Sequence, residues 1–210
     1  LKEISFPNSI ISVGPEAFVM VQWYNNLPDG IVYIGKTVYC YKGEAPDNSQ
    51  VTIKNGIVSI TESAFKECSG IQSVILPESI KHIGKEAFKG CTSLTEIRIP
   101  ESLESIDKST FENCTSLTNV TFSEGLKSVG YNSFANTNIK EIIIPYSLTN
   151  IDQYAFNECP YLEKVKVLNK DTNFPTINIS DSVLIYVRYD SLFAKIHHSY
   201  NVAVFGDVNL

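Results

Sequence analysis

Apolar and polar residues alternate along this chain in short bursts, and the bursts recur. Ile71-Gln-Ser-Val-Ile-Leu-Pro77 returns 23 residues later as Leu94-Thr-Glu-Ile-Arg-Ile-Pro100. It returns again as Leu117-Thr-Asn-Val-Thr-Phe-Ser123 and as Ile139-Lys-Glu-Ile-Ile-Ile-Pro145. An earlier copy is Leu1-Lys-Glu-Ile-Ser-Phe-Pro7, a later one begins at Leu162, and a weaker one runs through Val51-Thr-Ile53. Units thus start near residues 1, 48, 71, 94, 117, 139 and 162, the last of them partial. Self-similarity at such a period marks a stacked repeat, in which no unit can bury its apolar side alone.

Each column of the unit has a physical reading. Leu94, Ile97 and Ile99 have the spacing of a short strand with alternate side chains inward and an extra buried residue at its start. Pro7, Pro77, Pro100 and Pro145 end that strand, because proline cannot donate to a ladder. Two aliphatic columns follow, exemplified by Ile80 and Ile83, and then a Gly, Asp or Thr position suited to a cap or an unusual backbone angle. Next comes a small residue with an aromatic, as in Ala87-Phe88; six of the eleven phenylalanines occupy this one column. Cys68, Cys91, Cys114 and Cys159 close four of the units. The expected architecture is an α/β repeat: a leucine-rich-repeat solenoid with short parallel strands on one face and turns with short helical turns on the other.

The repeated pattern [LI]-x-x-[IV]-x-[ILF]-P-x-S-[IL]-x-x-[IV]-G-x-x-A-F-x-x-C resembles the BspA-type leucine-rich-repeat family of bacterial surface proteins. The resemblance covers residues 1–18 and 48–167. It implies a secreted or surface-anchored protein of a commensal or pathogenic bacterium, or of a mucosal parasite. It also implies adhesion to host matrix proteins or to other cells, and it specifies no enzymatic activity.

Two segments stand outside the repeat. Within 19–47, Ile31-Val-Tyr-Ile34 and Thr37-Val-Tyr-Cys-Tyr41 flank Gly35-Lys36, which predicts a two-residue β-hairpin. Its Trp23, Tyr33 and Tyr39 could form a binding arm, stacking on sugar rings or on a protein. Alternatively the hairpin folds onto the coil surface in place of a missing repeat, the reading that similar inserts in the family imply. Residues 168–210 are expected to cap the last coil, with Asp190 at the start of a helix whose Leu192, Phe193, Ile196 and Tyr200 share one face. The domain reading is therefore a solenoid over 1–167 with a hairpin insert at 19–47, and a C-terminal cap over 168–210.

Composition narrows the function. The chain has 210 residues, a net charge of −6, 17 basic and 23 acidic side chains, and apolar runs far too short to span a membrane. The acidic excess argues against nucleic acid as partner. It lies in residues 1–159, which hold 12 basic and 18 acidic residues, while 160–210 hold five of each. No leader precedes Leu1, so the chain is expected to be a piece of a larger protein. A cysteine column spreads its thiols along the solenoid axis instead of converging on a metal, so buried free thiols are expected. His82 reads as an exposed loop residue, and the adjacent His197 and His198 diverge on a helix and cannot chelate one ion. No catalytic arrangement, metal site or cofactor site emerges, and the chain is expected to act as a non-enzymatic monomer.

A ligand would meet the outward positions of the strands, the third and fifth of each unit. These include Ser73 with Ile75, Glu96 with Arg98, Asn119 with Thr121, and Glu141 with Ile143. Glu96, Arg98 and Asn119 are the expected centre of contact, with Ile75 and Ile143 as apolar anchors. The expected partner is a host or bacterial surface protein, or a glycan if the aromatic hairpin binds. A spacer role, in which the face is merely solvated, is the alternative.

Overall fold

One turn of backbone every 22 or 23 residues, stacked on the next turn, builds the molecule. The computed structural model describes residues 6–14, 17–18, 20–168, 179–180, 182–188 and 201–205. In chain order these form a one-turn helix α1 (Gln22–Asn25) and strands β1 (Gly30–Ile34), β2 (Thr37–Lys42), β3 (Ser49–Thr52), β4 (Ser59–Ile60) and β5 (Ile71–Ile75). Next are β6 (His82–Ile83), β7 (Glu96–Arg98), β8 (Ser105–Ile106), β9 (Asn119–Thr121) and β10 (Ser128–Val129). The series ends with β11 (Glu141–Ile144), β12 (Asn150–Ile151), β13 (Lys164–Val167), β14 (Leu184–Arg188) and β15 (Asn201–Phe205). Longer strands pair in parallel along one face, as β3-β5-β7-β9 and β11-β13-β14-β15. Two-residue strands pair along a second face, β4 and β6 continuing from the longer β2, and β8, β10 and β12 with one another. His82 lies on one of these short strands, exposed, where a loop was expected.

The third side corrects the expected helical turns, and the fold is accordingly a β-solenoid with almost no helix. Between Thr61 and Cys68, alternate amides do different work. Ala64, Lys66 and Cys68 donate to the carbonyl three residues back, closing successive tight turns. Ser63, Phe65 and Glu67 donate instead to Lys85, Ala87 and Lys89 of the next coil. An α-helix would send every amide to the fourth residue back and leave none for a neighbour. Left-handed backbone at Ser63 and Glu67, repeated at Ser109 and Asn113 and at Asn132 and Asn136, makes a helix impossible there. The physical reason is spacing. Parallel strands hold adjacent coils about 4.8 Å apart, whereas side-by-side helices need about 8–10 Å.

That spacing governs the core. Phe65, Phe88, Phe111, Phe134 and Phe156 stack ring on ring, with centroids 4.9, 5.4, 5.2 and 5.5 Å apart and planes within 12° of parallel. Polar spines reinforce the stack. Ser79, Ser102 and Ser147 each donate a hydroxyl to the carbonyl of the preceding coil, at 2.7, 2.6 and 2.6 Å. Cys91, Cys114 and Cys159 donate their thiols to Phe65, Phe88 and Phe134 carbonyls at 3.1, 3.1 and 3.2 Å. Gly125 stands where these three coils have serine, as Gly56 does in the unit starting near residue 48, and a β-carbon at Gly125 would overlap the Glu101 carbonyl oxygen.

The insert joins this stack. β1 and β2 form an antiparallel hairpin around Gly35-Lys36, and β2 pairs in parallel with β4. Tyr41 donates its amide to the Ala64 carbonyl at 2.6 Å and sets its ring 6.1 Å from Phe65, at the head of the phenylalanine column. On its other side the hairpin holds Phe6 and Phe18 of the first unit against Trp23 in a small second core. At the far end the ladder runs past residue 167 through β14 and β15, and Val183 and Ile185 join the main core. The predicted helix with Asp190, Leu192, Phe193, Ile196 and Tyr200 lies outside the described residues, as do His197 and His198.

Two stability outcomes follow. Phe111→Ala opens a cavity in the middle of the ring stack and is expected to cost about 3–5 kcal/mol in urea denaturation. Gly125→Ser restores the repeat's own residue, yet is expected to destabilise by about 1–3 kcal/mol because the serine β-carbon meets Glu101 backbone. An unchanged or raised denaturation midpoint for Gly125→Ser would contradict this close coil contact.

Candidate binding face

Alternation within each strand places one set of side chains in the core and the other on the surface. Leu94, Ile97 and Ile99 are buried, while Glu96 and Arg98 between them are exposed. Parallel pairing in register then aligns the outward residues into two rows. One row runs Gln50, Ser73, Glu96, Asn119. The other runs Thr52, Ile75, then Arg98 opposite Thr121. In the second sheet Glu141 faces Lys164 and Ile143 faces Lys166. The two sheets meet at the 22-residue unit, where Thr137-Asn-Ile139 is one residue shorter than Cys114-Thr-Ser-Leu117.

The structure brings Ser73, Ile75, Glu96, Arg98, Asn119 and Thr121 together around one shallow groove of about 370 Å³. Glu141 and Ile143 lie beyond it, on the adjoining sheet of the same face. Ile75 and Ile143 are 49% and 48% exposed, although each sits on a regular strand next to buried neighbours. Among the described residues Arg98 is the only basic one lining the groove, and it is tethered: Nη1 lies 2.5 Å from Oε1 of Glu78, in the corner beyond β5. The hydrogen bond from Arg98 holds the Glu78 carboxyl below its ordinary range, and Glu78 in turn holds the guanidinium more firmly protonated. Both side chains are more than half exposed, so the pair orients Arg98 more than it stabilises the fold. Sequence reasoning missed Glu78, which belongs to a corner column and reaches Arg98 only once the coils stack.

The aromatic hairpin is a different case. Trp23 and Tyr39 are 9% and 2% exposed, locked in the second core, and Tyr39 accepts the Phe18 amide at 2.9 Å on its hydroxyl. They offer no open ring face to a sugar. Tyr33 is half-buried with Lys54 Nζ 4.4 Å from its ring centre. An exposed aromatic pair stands elsewhere, at Tyr131 and Tyr154 on the corner after the short strands, with centroids 5.7 Å apart. Nothing in the repeat pattern flags it, because the two residues occupy different columns.

Candidate chemistry is sparse. All five cysteines are free thiols, buried at 68, 91 and 114 and half-buried at 40 and 159. Among the described residues no group of three histidine, cysteine or acidic side chains converges on a point that could hold a metal ion. No helix among them is long and apolar enough to cross a membrane. Burial away from water pushes the Cys68 thiol up to about 11 and Cys114 up to about 12, and raises Cys91 further. Such groups bind their protons more tightly when folded.

Parallel rungs, an in-register outward face and a ring-stacked interior together define a leucine-rich-repeat solenoid. The model for the BspA type leucine rich repeat region matches residues 34–163 in six copies, and the chain belongs to that family. Solved structures share the fold. The Treponema pallidum leucine-rich-repeat protein TpLRR is 23% identical with a TM-score of 0.61, over 85% of this chain and 82% of that one. The pneumococcal vaccine antigen PcpA is 20% identical with a TM-score of 0.66, over 85% of this chain and 47% of that one. A leucine-rich cell surface protein of Faecalibacterium prausnitzii is 18% identical with a TM-score of 0.50, over 86% and 64%. No curated protein matches the chain in sequence.

The buried thiols are expected to contribute to an alkaline limit on stability, alongside Tyr33 and Tyr41, whose hydroxyls burial also raises. The thiols' folded-state values lie above the unfolded value of about 8.5, so their contribution is complete below that pH and is lost as pH rises through the folded values. The urea midpoint is expected to fall between about pH 9 and pH 12, and less steeply in a Cys68→Ala/Cys91→Ala/Cys114→Ala variant. Equal pH slopes for the two proteins would show that the thiols do not contribute to the limit.

Proposed function

We propose that this chain is a non-enzymatic protein-binding module, displayed at a bacterial surface or released from it, that engages a host or bacterial surface protein through its strand face. One observation carries the reading: a polar, mixed-charge row of outward side chains that still exposes two isoleucines near half of their surface. Isolated exposed leucines and isoleucines are ordinary on protein surfaces. Two on one strand face, on either side of the tethered Arg98, are suited to anchoring a partner whose polar rim meets Glu96, Asn119 and Thr121. The surface location draws on the character of the family, and on the likeness to the Faecalibacterium cell surface protein.

The test is capture of this chain by panels of immobilised host extracellular-matrix proteins and bacterial surface proteins. Reversing Glu96→Lys and Arg98→Glu together is expected to weaken the captured interaction at least tenfold. Reversal of the Lys66–Glu86 pair on the turn side is expected to change it less than twofold. Both pairs are solvent-exposed enough that either double variant should keep its melting temperature within a few degrees. Equal sensitivity to the two reversals would remove the strand face as the site. Absence of any captured partner would favour a spacer.

A further inference from the structure

We propose that Asn55 is a site of spontaneous covalent modification: its carboxamide closes on the Gly56 amide nitrogen, expels ammonia, and leaves aspartate or isoaspartate in the corner after β3. Asparagine is among the chemically labile side chains, most of all before glycine, which leaves the attacking nitrogen unshielded. Asn55-Gly56 is the only Asn-Gly pair in the sequence. It forms the middle of a tight turn in which Ile57 donates its amide to the Lys54 carbonyl at 3.3 Å. Gly56 has a φ of 84°, as the third residue of a type II turn requires. Both residues are exposed, and a β-carbon built on Gly56 meets nothing within 4 Å. Among the described residues no hydrogen bond holds the Asn55 side chain.

The reaction balances without an oxidant or a cofactor. The Gly56 nitrogen loses its proton to solvent base and attacks Cγ of Asn55, and Nδ2 leaves as ammonia. A cyclic imide then joins Cγ to that nitrogen, and water opens it at either carbonyl. Attack at Cγ gives aspartate with the chain unchanged. Attack at the former backbone carbonyl gives isoaspartate, with the chain rerouted through Cβ and Cγ. The net change is amide plus water to acid plus ammonia, and either product adds a negative charge to a chain already at −6.

The neighbouring coil sets the pace. Gly56 donates its amide at 3.1 Å to Oγ of Ser79, whose hydroxyl donates in turn to the Ile57 carbonyl at 2.7 Å. That bond occupies the N–H that has to ionise and holds the nitrogen within the turn, so the folded coil slows the closure. Alignment of the coils shows what the product meets. Asn55 stands in the corner column that holds Glu78, Glu101 and Glu124 in the following units. Glu78 and Glu124 accept the amides of Glu101 and Ser147, one coil on, at 2.9 and 3.3 Å. Conversion therefore gives this coil the acidic corner that its successors carry. The strand position that Arg98 fills for Glu78 is Ile75 for residue 55, so the new carboxylate has no equivalent cation.

Incubation of the full chain in heavy-oxygen water at mildly alkaline pH tests this, read by peptide mass spectrometry and isoaspartyl methyltransferase labelling. Asn55 is expected to take up label at least tenfold faster than Asn132, whose neighbour Ser133 is buried, and to yield both aspartate and isoaspartate. This comparison needs no variant. Ser79→Ala is expected to raise the rate in the folded chain at least threefold and to leave the rate in urea unchanged. Asn55→Gln, at an exposed position, is expected to lower label and isoaspartate at residue 55 at least tenfold. A rate at Asn55 no greater than at Asn132, or aspartate without isoaspartate, overturns the proposal. Equal folded rates with and without the Ser79 hydroxyl overturn the control by the neighbouring coil. None of these outcomes depends on what the strand face binds.

Discussion

Coil-to-coil spacing set by parallel backbone pairing is the constraint on which everything else in this protein depends. Strands on one face, two-residue strands on a second and alternating amides on the third bond to the next coil, with breaks in strand pairing only between β9 and β11 and between β6 and β8. No side of the unit is then free to be wider than a strand. That excludes helices, forces left-handed backbone into the turns, and stacks the phenylalanine rings nearly parallel. Isolated aromatic pairs prefer offset or edge-on geometry; here coil translation dictates the arrangement. In the second core, where no translation operates, the rings of Phe6, Phe18 and Trp23 meet edge-on.

The same translation turns weak polar contacts into continuous spines. One serine hydroxyl or one thiol donating to the previous coil contributes modestly. Recurring on several coils, these bonds satisfy carbonyls in the interior that would otherwise be costly to bury. Lys66 with Glu86, Lys89 with Glu112 and Lys127 with Glu104 add ion pairs between successive coils on the outside. The insert obeys the rule too, since β2 pairs with β4 as a coil would and Tyr41 extends the ring column.

A surface built this way is a ruler. Within each sheet, outward side chains are held on rungs of fixed pitch, so the distance between two of them is set by how many paired coils separate them. The tether between Glu78 and Arg98 fixes the polar ground beside Ile75 on this face. The shortened unit joins the two sheets without removing the second isoleucine from the face.

Much of this was legible in the amino-acid order, because a repeat reports its own alignment. The inward column of Leu94, Ile97 and Ile99, the phenylalanine column, the free thiols and the outward row could all be read from period and alternation alone. Tertiary structure decided what depends on neighbouring coils. It exchanged helical turns for tight turns, since Ser63 and Glu67 carry no sign of left-handed backbone until an adjacent coil takes their amides. It buried Trp23 and Tyr39, because hairpin aromatics look alike whether they face solvent or the first unit. It paired Arg98 with Glu78, 20 residues apart and unrelated by column. Periodicity specifies which side of a strand a residue faces; only the stacking of coils specifies what that residue meets.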